Sequence, residues 1–413
     1  MYLGFFYWSS MFKPFKIRQS NASTSQGAIS NLKRKLYAFS FFDEFILIYP
    51  FYALMFQDNG LSGSQISSLF VVLSVMIFLL EVPSGSIADK YSRKRVLLIG
   101  IMARAVAFGV WLLFPGYIGF LVGFMFWGIK RALVSGTMEA FVYDELQRLG
   151  KTGLYTKLTG SMQTHSLFGF VLGGLGASLL AEKGYSIILI LSIVAVCISA
   201  VAIYLLPSAP KIKSTEEVRY FDYLRDGVRL VAHRPMLRSI VLFGAAIGGL
   251  RVIDEYYNLF LKELHFSNSE IALWIAAIYV FGAIGSACAH RFETKRPSAF
   301  IGLIVWGTLL GLAIILPPIF APLFVGLFAM LFYAMSVLTN SYLQKHTESK
   351  TRATTTSVMS FLSEIFALAV FGVFWLTSVH GYSLGLGVIA GSILVICFGM
   401  ALFGIKSLIM KRD

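Results

Sequence analysis

Eleven charged side chains stand inside runs of otherwise apolar sequence: Asp43, Glu44, Glu81, Arg104, Lys130, Arg131, Glu139, Arg251, Asp254, Glu255 and Glu364. At the centre of a membrane-spanning helix each costs about 2.5–3.5 kcal/mol unless it is paired or lines water, so such residues mark function. Asp43 and Glu44 are adjacent carboxylates. In a low-dielectric site beside cations their proton affinity is a balance of burial, mutual repulsion and attraction, and a ligand that engages the cations tips that balance. Asp43 and Glu44 are the first candidates for a proton site, and Glu139 is the second. Lys130, Arg131 and Arg104 are candidates for holding an anionic group. Tyr256, Tyr257, Asp254 and Glu255 complete the candidate binding residues, with Phe51, Tyr52 and Trp127 as further aromatics suited to an amphiphilic ligand or to lipid. Two alternatives stand beside this reading. Arg104 or Arg131 forms a permanent buried salt bridge with Asp43 or Glu44, and Arg251 pairs locally with Asp254 and Glu255 through i, i+3 and i, i+4 spacing. His165 is either a proton relay or a hydrogen-bonded core histidine.

The elements that position these groups follow from composition. Of 413 residues 57% are hydrophobic and only 14% are charged, unlike a soluble domain. Twelve segments have about the length a helix needs to cross the ~30 Å hydrocarbon core. They cover residues 35–57, 64–86, 94–114, 117–143, 154–181, 185–206, 237–261, 268–290, 298–316, 319–344, 353–379 and 382–405. A soluble helix would need a polar face, and "IILILSIVAVCISAVAIYLL" has none. With both termini placed in the cytoplasm, 29 of the 35 Lys and Arg fall on the inner side, and the outer loops hold only Lys183 and Lys262. The positive-inside rule accounts for that bias and for most of the net charge of +14, so no nucleic-acid partner is implied. Arg104, Lys130 and Arg131 then lie near mid-membrane, with Asp43 and Glu44 slightly nearer the cytoplasm.

Cys197, Cys288 and Cys397 all fall inside segments, so neither a disulfide framework nor a metal cluster is expected. No phosphate-binding loop or catalytic constellation at recognisable spacing occurs, which argues against an enzyme, a nucleotide-driven pump or a cofactor. The first 34 residues start apolar and turn basic later, the reverse of a cleaved signal peptide. They are expected to form a cytoplasmic arm, with "YLGFFYW" against the membrane; Met11 is an alternative natural start.

An internal repeat organises the chain. "LSGSQIS" from Leu61 and "FSNSEIA" from Phe266 share an N-cap pattern in equivalent outer loops, and the offset of 205 carries Phe51-Tyr52 onto Tyr256-Tyr257. The predicted organisation is an arm at 1–34, a six-helix half at 35–206, a charged cytoplasmic linker at 207–236, a second six-helix half at 237–406 and a tail at 407–413. Parallel halves around a central site are the plan of alternating-access carriers.

Between segments 2 and 3 stands "GSIADKYSRK", in which Gly85, Asp89, Lys90, Arg93 and Lys94 resemble the signature loop of the major facilitator superfamily. With the twelve-segment plan, the resemblance covers residues 35–406. It implies an all-α membrane protein of 12 transmembrane helices in two six-helix pseudo-symmetric bundles, with segments 1, 4, 7 and 10 lining a central cavity. It also implies a gating latch, in which Asp89 meets the start of segment 11 at Thr354–Thr356 and Arg93 reaches Asp144, with Gly85 and Lys94 in the same loop. Ser92 stands where the family prefers Gly. "SGTMEAFVYDEL" from Ser135 is similar to bacterial branches of the superfamily. "GFVLGGLG" from Gly169 partly resembles the antiporter glycine signature but lacks its Pro, and small residues there also suit close approach of segments 5 and 8. The expected function is a secondary carrier in the cell membrane, a monomer moving a small molecule with protons as partner, and proton-coupled export of amphiphilic or anionic compounds. Uptake of a small organic anion is the alternative, as is a non-transporting receptor or lipid scramblase on the same scaffold.

Overall fold

The structure, a computed structural model, describes residues 22–207, 228–292, 296–347 and 352–409. Every regular element among them is a helix. Nine of the described helices are long and apolar enough to cross a bilayer, and Ile304–Ile315 and Tyr382–Ile396 are shorter apolar stretches. The first segment is in two helical pieces, Ala22–Glu44 and Tyr52–Asp58.

That first segment departs most from its expected bounds. Its helix begins at Ala22, thirteen residues early, because Ile29, Leu32, Leu36 and Phe39 form a buried stripe at helical spacing. The expected arm is therefore helical from Ala22, and its residues 1–21, "YLGFFYW" included, lie outside the described residues. The helix then stops at Glu44, and the chain turns before a short helix at Tyr52–Asp58. Pro50 explains why it cannot run on: it lacks an N–H and its ring would clash with the carbonyl four residues earlier. A freed backbone donor in a membrane protein must find another partner. The Ile48 N–H finds Ser192 Oγ of segment 6 at 3.1 Å.

Two more segments are broken. Segment 4 divides into Tyr117–Val134 and Thr137–Arg148 at Gly136, whose φ of 68° is a left-handed conformation natural to glycine. Segment 7 runs as Pro235–Leu250, a 3₁₀ stretch Arg251–Tyr256 and Tyr257–Glu263. The expected linker is helical over 228–233, its residues 208–227 lie outside the described residues, and the last helix, Tyr382–Ile409, runs into the expected tail.

The described residues form two compact units, one within Phe6–Leu61 and Ser68–Tyr220, the other within Ser62–Ser67 and Phe221–Asp413. Local chemistry recurs between the two halves of the sequence. Ser62 and Gln65 exchange capping hydrogen bonds at 2.9 and 3.3 Å, and Ser267 and Glu270 do the same at 2.8 and 3.3 Å. Trp111 Nε1 donates to the Phe120 carbonyl at 3.2 Å, locking segment 3 to 4, and Trp306 Nε1 donates to the Phe328 carbonyl at 3.1 Å, locking 9 to 10. The tripeptide Gly-Tyr-Ser opens segment 6 at Gly184 and segment 12 at Gly381, each glycine with positive φ. The acid ending the first segment, Asp58, accepts from Tyr185 Oη at 2.5 Å, and its counterpart 205 residues on, Glu263, accepts from the Tyr382 and Ser383 N–H groups at 2.5 and 3.2 Å. A carboxylate at a helix N-terminus satisfies free donors and opposes the helix dipole.

The glycines of segment 5 admit a close backbone approach within the first unit. A Cβ on Gly169 would lie 2.1 Å from the Phe41 carbonyl oxygen, and one on Gly173 would lie 3.1 Å from Ile46 N. They admit the backbone of segment 1 just where its helix ends. Ser166 Oγ donates to the Ser40 carbonyl at 3.1 Å on the same seam.

Candidate functional site

In the first unit the charged cluster forms at the end of the helix Ala22–Glu44. Asp43, 6% exposed, places one carboxylate oxygen on Arg104 Nη2 and the other on Lys130 Nζ at 2.9 Å. Arg104 is fully buried on segment 3 and also donates to Tyr49 Oη at 3.0 Å. Tyr49 stacks on Trp127 and Phe170 at 5.6 and 5.9 Å between centroids, and Phe51, Tyr52 and Trp127 pack in the buried aromatic core of this unit rather than against lipid. Arg104 and Asp43 thus form a buried salt bridge. Lys130, read as an anion holder, is engaged by the same carboxylate. The carboxylate of half-buried Glu44 makes no hydrogen bond or ion pair with the described residues. One carboxylate is thereby fixed and its neighbour is available.

Glu139 lies in the first turn after the Gly136 break, with the backbone N–H groups of Gly136 and of Glu139 itself against its carboxylate. Its Oε2 is buried and has no hydrogen-bond partner among the described residues. His165, half-buried, has its Nδ1 2.7 Å from the Ser161 carbonyl and its ring stacked on Tyr37 at 4.3 Å. Arg131 is half-buried in the last turn before the same break.

At the loop between segments 2 and 3, Arg93 pairs with Asp144 and donates to the Ala140 carbonyl at 2.9 Å. Lys94 does something other than the latch role expected of it: it donates to the Leu206 carbonyl at 2.7 Å and covers the Tyr204 ring at 5.3 Å. With Lys35, which reaches the Leu205 carbonyl at 2.5 Å, it satisfies the orphan carbonyls ending Tyr185–Tyr204. Gly85 and Asp89 belong to the helix Gly63–Lys90, and their side chains, with those of Thr354, lie outside the described residues.

In the second unit Arg251 pairs with Glu364 of segment 11 at 3.5 Å, so the expected local pair with Asp254 and Glu255 is replaced. In the 3₁₀ winding residues i and i+3 eclipse while i+4 turns away, so Glu255 leaves the Arg251 face. Asp254 accepts instead from Tyr279 Oη of segment 8 at 3.1 Å. Tyr256 leaves the candidate set: it is fully buried, stacks on Phe374 at 3.6 Å and donates to Ser67 Oγ at 2.9 Å within this unit. Tyr257, with Arg251 and Asp254, lines a small pocket together with Tyr279 and Tyr333. Glu255 is half-buried beside it in sequence.

Residues 36–370 match the sequence model of the Major Facilitator Superfamily. The chain belongs to that superfamily. It is a multi-pass membrane transporter of a small molecule, not an enzyme. It is 22% identical to the quinolone resistance protein NorA of Staphylococcus aureus over 290 residues, 66% of this chain and 69% of that protein. Its fold is similar to that of the nucleoside transporter NupG, with a TM-score of 0.73 at 17% identity over 90% of this chain and 99% of that one. It is also similar to a D-xylose-proton symporter, at 0.65 and 14% over 91% and 97%. For this superfamily member, Tyr49, Ser192, Tyr279 and Tyr333 are the site residues sequence reasoning passed over. Three of them are tyrosines in apolar runs, where nothing in a linear sequence separates a site hydroxyl from an interfacial one. Among the described residues no group of three His, Cys, Asp or Glu could hold a metal ion.

Proposed function

We propose that this transporter couples proton movement to the export of small amphiphilic compounds bearing at least one anionic group. The observation that carries the reading is the break in segment 1, where Asp43 is clamped between Arg104 and Lys130 while Glu44 stands without a partner among the described residues. A carboxylate outside any ion pair can gain and lose a proton without dismantling one, so Glu44 is the proton carrier and Asp43 its electrostatic reference. An anion arriving at Lys130 and Arg131 competes with Asp43 for Lys130 and changes the field at Glu44. Glu139 is a second proton site, at a helix break of the same unit. Export is favoured by the similarity to NorA, and the protein acts as a monomer in the cell membrane with both termini cytoplasmic.

The test is uptake of a labelled anionic amphiphile into proteoliposomes with an imposed proton gradient. Accumulation in vesicles acid inside means antiport and supports export; accumulation only in vesicles acid outside means symport and uptake. Glu44→Gln is expected to abolish gradient-driven accumulation while sparing exchange of labelled for unlabelled substrate. A Glu44→Gln protein that still concentrates substrate moves the proton site to Glu139, and a protein that moves no substrate under either gradient removes the carrier reading.

A further inference from the structure

We propose that the basic ends of segments 3 and 6 form a docking surface for the headgroup of an anionic phospholipid, read chiefly by Arg95; the proposal stands apart from the carrier function above. The two helices, Arg93–Leu113 and Tyr185–Tyr204, pack side by side in the first unit. From Arg95 the exposed face of segment 3 continues as Ile99, Met102 and Val106, at i+4, i+7 and i+11. Segment 6 exposes Val194, Ile198 and Val201 in the same rhythm and ends on exposed Tyr204. Stripes this apolar on spanning helices face acyl chains. Hydrocarbon surrounds them whichever lipid sits there, so they select none. The charges at their end do the selecting.

A helix C-terminus repels anions, because its free carbonyls carry about half a negative charge. At segment 6 that repulsion is cancelled. Lys35 donates to the Leu205 carbonyl and Lys94 to the Leu206 carbonyl, so two ammonium groups outweigh the dipole and leave the helix end net positive. Arg95, next to Lys94, is exposed and makes no hydrogen bond or ion pair with the described residues. Asp144, the acid bound from the same turn, is already neutralised by Arg93. Lys94 also lies 5.3 Å from the centre of the Tyr204 ring, which brings that phenol, 67% exposed, to the same edge. A guanidinium presents a planar fork of donors that fits two phosphate oxygens, and an amphipathic tyrosine suits the headgroup level. The positive-inside rule assigns these helix ends to the leaflet whose anionic lipids give it a negative surface potential. A headgroup with one phosphate and no amine, as in phosphatidylglycerol, satisfies this set. A zwitterionic headgroup would bring an ammonium beside Lys35, Lys94 and Arg95. Free phosphate has the same oxygens but no chains to concentrate it at the membrane edge.

The experiment is native mass spectrometry of the detergent-purified protein equilibrated with equal amounts of phosphatidylglycerol, phosphatidylethanolamine and phosphatidylcholine of identical acyl chains. Phosphatidylglycerol is expected to be retained preferentially, and Arg95→Gln to lower its retention about five-fold, the worth of one basic residue near an anionic headgroup. Arg95→Lys should restore it in part, since an ammonium keeps the charge but not the fork. Lys157→Gln is the control: it removes the same charge from an exposed position in the first turn of segment 5 and should leave retention unchanged. Arg95 is exposed in the first turn of its helix, so its variants are expected to keep the wild-type thermal midpoint. Equal loss in Arg95→Gln and Lys157→Gln would mean diffuse attraction to a basic face and overturns the site. Unchanged retention in Arg95→Gln, no preference among the lipids, or preference for phosphatidylethanolamine overturns it as well. Displacement of phosphatidylglycerol by added inorganic phosphate would assign Arg95 to a free anion and overturn the lipid reading.

Discussion

Asp43 compensates two buried cations at once, so its charge is worth more to the folded protein than that of Glu44 beside it. Removing one member of a buried ion pair costs about 3–5 kcal/mol because the remaining charge is left uncompensated. Asp43→Asn is therefore expected to lower the thermal midpoint of the detergent-solubilised protein markedly, whereas Glu44→Gln leaves it nearly unchanged and shows its effect in transport. Equal midpoints for the two variants would mean that Arg104 and Lys130 find other partners. This division of labour was only half legible in the sequence. Counting residues from the segment ends put Asp43, Glu44, Arg104 and Lys130 at similar depth, which is a statement about distance along the membrane normal. Which carboxylate turns toward which cation depends on rotation about each helix axis, and that is fixed by neighbours such as Tyr49 and Ser192, far away in sequence.

At the scale of elements, close backbone approach is what the glycines of segment 5 provide. An alanine Cβ at Gly169 would fall 2.1 Å from a main-chain oxygen of segment 1, and neither helix can yield locally because both contacts are backbone. Gly169→Ala should cost about 1–3 kcal/mol, as overpacking does in a dense core. Gly160 is the control on the same helix: nothing lies within 4 Å of its Cβ position, so Gly160→Ala should be neutral or raise stability by up to about 1 kcal/mol. Thermal unfolding of the two variants checks both signs, and equal destabilisation would show that helix propensity rather than packing governs the segment. The breaks were unevenly legible. Pro50 announces the first one, and Gly136 permits the second without requiring it. The 3₁₀ stretch Arg251–Tyr256 contains neither Pro nor Gly, so "RVIDEY" reads as ordinary helix.

For the molecule as a whole, the repeat is the deepest regularity. The offset of 205 that relates two capped loops also relates Asp58 to Glu263 and the turn before Tyr52 to the 3₁₀ stretch before Tyr257, so both units are interrupted at corresponding places. Interrupted segments in corresponding halves point to the transport site, because backbone leaves the helical pattern only where other groups take over its hydrogen bonds or a cavity is lined. The loop between segments 2 and 3 is tied into the first unit by Arg93 on Asp144, a pair 23% and 13% exposed, whose net worth to stability is about 0–1 kcal/mol. A contribution that small is easily reversed, which suits a contact remade in each transport cycle. Arg93→Ala and Asp144→Ala are accordingly expected to leave the thermal midpoint nearly unchanged, to slow turnover by similar factors, and to be no slower when combined, because each alone removes the same pair. Asp89→Asn, which removes charge and little volume from the same loop, should slow the same step. Initial rates in proteoliposomes, measured for both single variants and the double, decide the matter: if the two decrements multiply, Arg93 and Asp144 act separately, and if neither variant is slowed the loop serves as a topology signal with no part in the cycle.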